Sequence, residues 1–123
     1  MIRTIPEGTS RALDAARVEI LRELDAFTQI SDVFLEDAPQ LFEDLRRALA
    51  AGDLDAAEKT AHRLKGASAN LGATLLSSSF RRIEDLTREG DPEACRSQLE
   101  QAEALYRAVE AEIEEIRDRL LAR

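Results

Sequence analysis

The sequence predicts an all-α protein, an antiparallel four-helix bundle with an additional short N-terminal helix. Apolar residues recur at three- and four-residue spacing along nearly the whole chain, and no segment alternates with the period of two that a half-buried strand requires. Tryptophan is absent, and the 123 residues include only five glycines and three prolines, while helix formers such as Ala, Leu, Glu and Arg dominate. The stretches between periodic segments are short, which makes neighbouring helices antiparallel. A chain of this length builds one core and not two. Residues 10–123 are therefore read as a single bundle domain, and residues 1–9 as a flexible N-terminal arm.

The first helix is expected from about Ser10 to Leu24, on Leu13, Val18, Leu21 and Leu24. The second, from about Ala26 to Ala51, carries Ile30, Val33, Phe34, Leu41, Leu45 and Leu49 on one stripe. Pro39 lies inside it, where the missing donor and the crowded preceding turn predict a kink near Asp37. Gly52 suits the C-terminal cap and Asp53 the next N-cap. A third helix runs from about Leu54 to Asn70 and a fourth from about Thr74 to Glu89, separated by Leu71, Gly72 and Ala73. Gly90, Asp91 and Pro92 then supply a C-cap glycine, an N-cap aspartate and a first-turn proline in succession.

From Glu93 onward, Leu99, Ala102, Tyr106, Val109, Ile113, Ile116 and Leu120 keep a three-four alternation. That is a coiled-coil-like seam on a helix of about 30 residues, or about 45 Å. Its far end would either pair with a second copy or cover the short N-terminal helix. The second reading is preferred, so a monomer is favoured over a homodimer.

Charge and motifs exclude several classes of function. With 17 basic against 25 acidic residues the net charge is -8, the wrong sign for releasing counterions from nucleic acid. No apolar run is long enough to span a bilayer and no leader peptide is evident, so a cytoplasmic location is expected. Lone Cys95 offers neither an internal disulfide nor a zinc cluster, in keeping with a reducing compartment. No phosphate-binding glycine loop is present, so the chain should not bind ATP. No nucleophile elbow is present either. The opening methionine and self-contained helices favour a stand-alone protein over a piece of a hybrid kinase.

The single histidine, His62, lies in the predicted third helix. Ala57, Ala61, Leu64, Ser68 and Leu71 define the core-facing stripe of that helix, and at about 100° per residue His62 falls roughly 140° from its centre, in water. Its neighbours on the helix surface are Glu58, Lys59, Lys65 and Gly66, with Ala69 one turn beyond. Gly66 costs roughly 1 kcal/mol against alanine at such a position, and close approach of another surface is one explanation. Lys65 would disfavour a proton on the imidazole and favour a phosphoryl group there. A neutral imidazole is itself a nucleophile. With no second histidine and no Glu-x-x-His pair, a zinc or di-iron site would have to be almost all carboxylate, which is disfavoured.

The run from Ala61 to Ala73, AHRLKGASANLGA, resembles the signature of histidine-containing phosphotransfer (HPt) domains of multistep phosphorelays. The similarity extends over roughly Ile30 to Leu105 and includes Val33 to Pro39, Ala50 to Asp53, Ile83 with Glu84, and Gly90 with Asp91. Phe80 departs from the small residue or cysteine common there, which should affect packing rather than chemistry. The resemblance implies that His62 accepts a phosphoryl group, by family habit on Nε2, from an aspartyl phosphate of a receiver domain and passes it to another receiver. It implies that Lys65 neutralises phosphate charge and that Gly66 leaves room for the receiver's loops.

By the same resemblance the chain carries no cofactor of its own, the magnesium belonging to the receiver, and its partners are response-regulator receivers and a hybrid sensor kinase. It would be a phosphoryl carrier without kinase activity. Ser68 is expected to face the core, Asn70 and Gly72 to shape the turn, and Arg63 to be a solvated charge. Ala69, Ala73 and exposed apolar residues of the preceding helix are candidates for the docking surface. The competing reading is a helical interaction module that binds receivers or a sensor kinase without accepting phosphate. The dimeric bundle of a histidine kinase is disfavoured because Arg63, and not an acidic residue, follows the histidine.

Overall fold

The structure, a computed structural model, describes residues 12–23 and 26–121, except for the side chains of residues 20–23. Five helices occupy them: α1 (Ala15–Glu23), α2 (Phe27–Ala50), α3 (Leu54–Leu71), α4 (Thr74–Arg88) and α5 (Pro92–Leu121), with no strand among the described residues. The chain is an all-α bundle in which α2 packs on α3, α3 on α4, α4 on α5, and α5 back on α2. The expected arm over 1–9 and Leu24 lie outside the described residues.

Local chemistry explains the connections. Gly52 adopts a φ of 72° after α2, and the Asp53 carboxylate caps α3 by accepting from the Ala56 amide at 3.0 Å. Gly90, with a φ of 73°, closes α4. Asp91 caps α5 through the Ala94 amide at 3.1 Å, and Pro92 opens that helix. Each cap satisfies backbone donors that the first helical turn leaves without partners.

The core runs along the bundle axis. Phe42 of α2 packs in tilted contact against Phe80 of α4 and Tyr106 of α5, with centroids 5.5 and 5.2 Å away. Phe80 is fully buried. Leu99, Ala102, Val109 and Ile113 of the α5 seam are buried as well. The far half of α5 is tied down within the chain: Glu112 accepts from the Ala12 amide at 3.0 Å, and Arg117 pairs with Asp32 of α2 at 2.7 Å.

Two expectations need correction here. Ser10 lies outside the described residues, but Ala12 to Asp14, which the expected first helix takes in, are not helical; α1 begins at Ala15 because Asp14 is its cap, its carboxylate accepting from the amides of Ala16 and Arg17 at 2.9 and 3.1 Å. Ala12 and Leu13 are buried in a bend before it. Val33, placed on the core stripe of α2, is 59% exposed. The stripe turns inward through Phe34, Ala38, Leu41, Phe42 and Leu45, which leaves Val33 on its outer shoulder.

The segment before α1 and α1 itself grip the α3–α4 turn. The Asp14 amide donates to the Gly72 carbonyl. The Arg17 guanidinium donates to the backbone and side-chain oxygens of Asn70 at 3.2 and 3.1 Å. Gly72 has a φ of 90°, and a Cβ there would stand 2.8 Å from Cγ of Arg17. Substituting Gly72→Ala should therefore destabilise the fold by about 1–3 kcal/mol, from the left-handed backbone and the crowding together. Urea unfolding, read as a fall in midpoint without a change in slope, measures it.

Candidate functional site

On α3 the buried stripe is Ala57, Ala61, Leu64, Ser68 and Leu71. Three of these five are alanine or serine, so the backbones of α3 and its neighbours approach closely. Ser68 donates to the Leu64 carbonyl at 2.7 Å inside its own helix and is fully buried. Asn70 is held by Arg17, and Gly72 supplies the left-handed turn. None of these three faces the histidine. Ala73 corrects a docking expectation: it is fully buried at the N-cap of α4, because the turn tucks it into the core. Ala69 is exposed.

His62 projects from the opposite side of α3 with a side chain 68% exposed. Its ring is nevertheless anchored. Nδ1 lies 2.9 Å from Oε2 of Glu84 on α4, and the other carboxylate oxygen, Oε1, lies 2.7 Å from Nζ of Lys65. The Glu84 side chain is only 4% exposed, and a buried carboxylate is sustained by partners of this kind. Arg88 adds a longer contact at 4.0 Å and is itself held by Glu58 at 2.6 Å. Burial alone would push the Glu84 carboxyl upward. The hydrogen bonds and positive charges of Lys65 and His62 outweigh that effect and leave it below the usual carboxylate range.

This geometry fixes the ring chemically. An ionised carboxylate only accepts hydrogen bonds, so Nδ1 of His62 carries the hydrogen. In the neutral ring the lone pair then resides on Nε2, the nitrogen not engaged by Glu84. Lys65 does not stand alone beside the imidazole, as the sequence suggested, because Glu84 is inserted between them. Ser77 of α4 donates to the Lys65 carbonyl at 3.1 Å and so pins this point of α3 to α4.

Sequence reasoning missed the functional weight of Glu84. Its signal was present: Leu76, Phe80, Ile83 and Thr87 form the buried face of α4, and a carboxylate occupies the same arc. An acidic residue in a buried arc demands cationic or donor partners.

The surroundings carry charges of both signs beside one glycine. Gly66 is exposed in mid-helix, and an added Cβ would meet nothing within 4 Å. A shallow depression of about 370 Å³ around His62 is lined by Glu58, Lys59, Arg63, Glu84 and Arg88. Arg63 is exposed and also edges a cleft of about 450 Å³ between α2 and α3, whose apolar wall includes Ile30, Val33 and Ala67. Cys95 is distant in role: its thiol is buried and pushed up, by burial first and by Asp91 next.

The lowered Glu84 carboxyl has a consequence for acid stability. A group whose folded value lies below its unfolded value stabilises the fold fully above the ordinary carboxylate range and loses that contribution as pH falls through the folded value. The stability difference between the wild type and Glu84→Gln should accordingly shrink as pH is lowered below the ordinary range. Urea unfolding at a series of pH values measures it, and a constant gap would contradict the ionised Glu84.

The comparisons with known proteins agree with this architecture. The family model for the Hpt domain matches residues 29–119. The crystal structure of histidine-containing phosphotransfer protein B (HptB) from Pseudomonas aeruginosa PAO1 superposes with a TM-score of 0.84 at 31% identity, covering 90% of this chain and 98% of that one. A search of curated protein sequences gives no match. The matched stretch includes the whole of α3 and α4 with His62, Lys65, Gly66 and Glu84, and the chain belongs to the Hpt domain family, with a phosphotransfer role in two-component signalling.

Proposed function

We propose that the chain is a phosphorelay intermediate in which His62 accepts a phosphoryl group from the aspartyl phosphate of a receiver domain and hands it to the receiver of another response regulator. The observation that carries this reading is the exposed imidazole with its Nδ1 held by Glu84 at 2.9 Å, which leaves Nε2 as the free nucleophile. Nε2 attacks phosphorus, the N–P bond forms, and the P–O bond to the aspartate breaks, the electron pair leaving on the carboxylate. Such transfer depends on in-line placement and cations more than on new covalent chemistry. The magnesium is supplied by the receiver, and the carrier needs no cofactor.

Lys65 serves as the cation for the arriving phosphoryl oxygens. One of its three N–H donors is engaged by Glu84 while the side chain remains 30% exposed, so donors are left for phosphate. Gly66 provides clearance. Neither a positive φ nor a neighbouring atom requires glycine there, so its use is explained by a surface that approaches from outside. The receiver docks over α3 and reaches the apolar shoulder of α2 at Val33, with Arg63 and Ala69 at its edges. A hybrid sensor kinase would supply the first receiver, in the cytoplasm, to a monomeric carrier.

Incubation with a phosphorylated receiver should label the wild type with acid-labile phosphate and leave His62→Gln unlabelled. Label persisting in the variant would sink the reading, and receiver binding without phosphohistidine would favour a pure interaction module. Gly66→Ala separates fold from function. It should raise unfolding stability by about 0.5–1 kcal/mol, as glycine-to-alanine changes do in helices. It should also slow transfer on the order of ten- to a hundredfold through misplacement of the reacting groups. Stopped-flow transfer and urea unfolding on the same preparation measure both.

A further inference from the structure

We propose that residues 1–11 fold back as a strap over the cleft between α2 and α3, with Ile2 and Ile5 seated on its apolar wall and Arg3 beside Asp37. The strap covers the Val33 shoulder that a docking receiver must reach, so the carrier holds its own competitor. That last step rests on the docking reading given under the proposed function.

The cleft is of a size to take side chains. Its volume of about 450 Å³ falls within the range of sites that enclose a ligand. Ile30, Val33 and Ala67 form its apolar wall, and Val33 and Leu121 are the two large apolar side chains left exposed among the described residues. On the α2 side Asp37 lines the cleft, and Arg63 stands across it on α3. No ion pair joins them, and neither has another ionic partner among the described residues. Elsewhere on this face the charges are paired: Lys59 with Asp55, Arg88 with Glu58, and Lys65 with Glu84.

The path to the cleft is short. Ala12 is held by Glu112 of α5, Asp14 by the Gly72 carbonyl, and Arg17 by Asn70, itself part of the cleft lining. Ala12 therefore stands a few residues' length from the Asn70 end. From Asn70 back to Arg63 at the other end, α3 spans about 10 Å. The eleven residues before Ala12 reach up to about 36 Å when extended, enough for both distances.

The sequence of that segment, MIRTIPEGTSR, matches the cleft in order and in charge. Read backward from Ala12, the polar stretch from Arg11 to Glu7 makes the crossing, Ile5 arrives first, and Arg3 and Ile2 follow toward the Asp37 end. Pro6 biases Ile5 toward extended, polyproline-like backbone. Such a helix has three residues per turn, which puts Ile2 and Ile5 on one edge about 9 Å apart. Arg3 and Arg11 against Glu7 make the segment basic, whereas the whole chain carries -8. A short tether also supplies an effective concentration in the millimolar range, so a contact too weak to hold two separate molecules together is well populated here.

The test uses the full chain with ¹³C-labelled Ile and Val methyl groups, without any receiver present. In the wild type, the methyl groups of Ile2 and Ile5 should show nuclear Overhauser contacts to Val33, and the Val33 signals should shift in Ile2→Ser/Ile5→Ser. Arg3→Glu should weaken the contacts severalfold, and Arg3→Glu/Asp37→Arg should restore them. A receiver that labels His62 should then bind Ile2→Ser/Ile5→Ser about three- to tenfold more tightly than the wild type, the gain expected if the strap is seated about 70–90% of the time.

Unshifted Val33 signals and no contact to Ile2 or Ile5 would overturn the seat in the cleft. Val33 signals that moved with protein concentration would put a second copy there and overturn it equally. Contacts without any gain in receiver affinity would refute the competition. If no receiver labels His62, the relay function fails instead, and the methyl contacts still decide where the strap lies.

Discussion

The buried carboxylate of Glu84, bonded through one oxygen to His62 and through the other to Lys65, is the interaction on which the site depends. It converts a freely rotating surface imidazole into one with a defined tautomer and a defined outward nitrogen. It is also a cross-link between α3 and α4, because its partners stand on one helix and its backbone on the other. The requirement that a buried anion be satisfied therefore couples function to packing: if α4 turned or slid against α3, the carboxylate would lose its donors and the histidine its orientation.

The rest of the bundle maintains that register. Small residues on α3 let α4 approach, Ser77 bonds the Lys65 carbonyl, and the Gly72 turn fixes the start of α4 relative to the end of α3. The turn is gripped in its turn by Asp14 and Arg17. In this arrangement Asn70 and Gly72 act on the site at a distance, by shaping the joint between the two helices that share Glu84. Gly66 is different: its local environment is indifferent to a side chain, and the proposed docking of a receiver accounts for it.

Features set by local chemistry were legible in the sequence. The caps at Asp53 and Asp91, the turn glycines, the extents of α3 to α5 and the outward phase of His62 all follow from residues within a turn of one another. The all-α class and the family resemblance were equally plain. What the sequence concealed depends on contacts between distant segments. Spacing alone does not tell a buried bend from a helical turn, so Ala12 and Leu13 were taken into α1. Val33 and Phe34 both fit a three-four pattern, and packing against α5 decides which of them turns inward. The burial of Ala73 follows from how the turn folds under. Glu84 was visible as an acid in an apolar arc, but its partners are set by the register of α4 on α3, which linear spacing does not encode.

The central claim is that Glu84 fixes the hydrogen on Nδ1 and leaves Nε2 bare in the resting protein. The chain has a single histidine, so a ¹⁵N spectrum of the unmodified protein at neutral pH reports that ring alone. The geometry predicts a protonated Nδ1 and an unprotonated Nε2 coupled to the ring hydrogens as a lone-pair nitrogen. A spectrum with the hydrogen on Nε2, or with the two tautomers in rapid exchange, would contradict it.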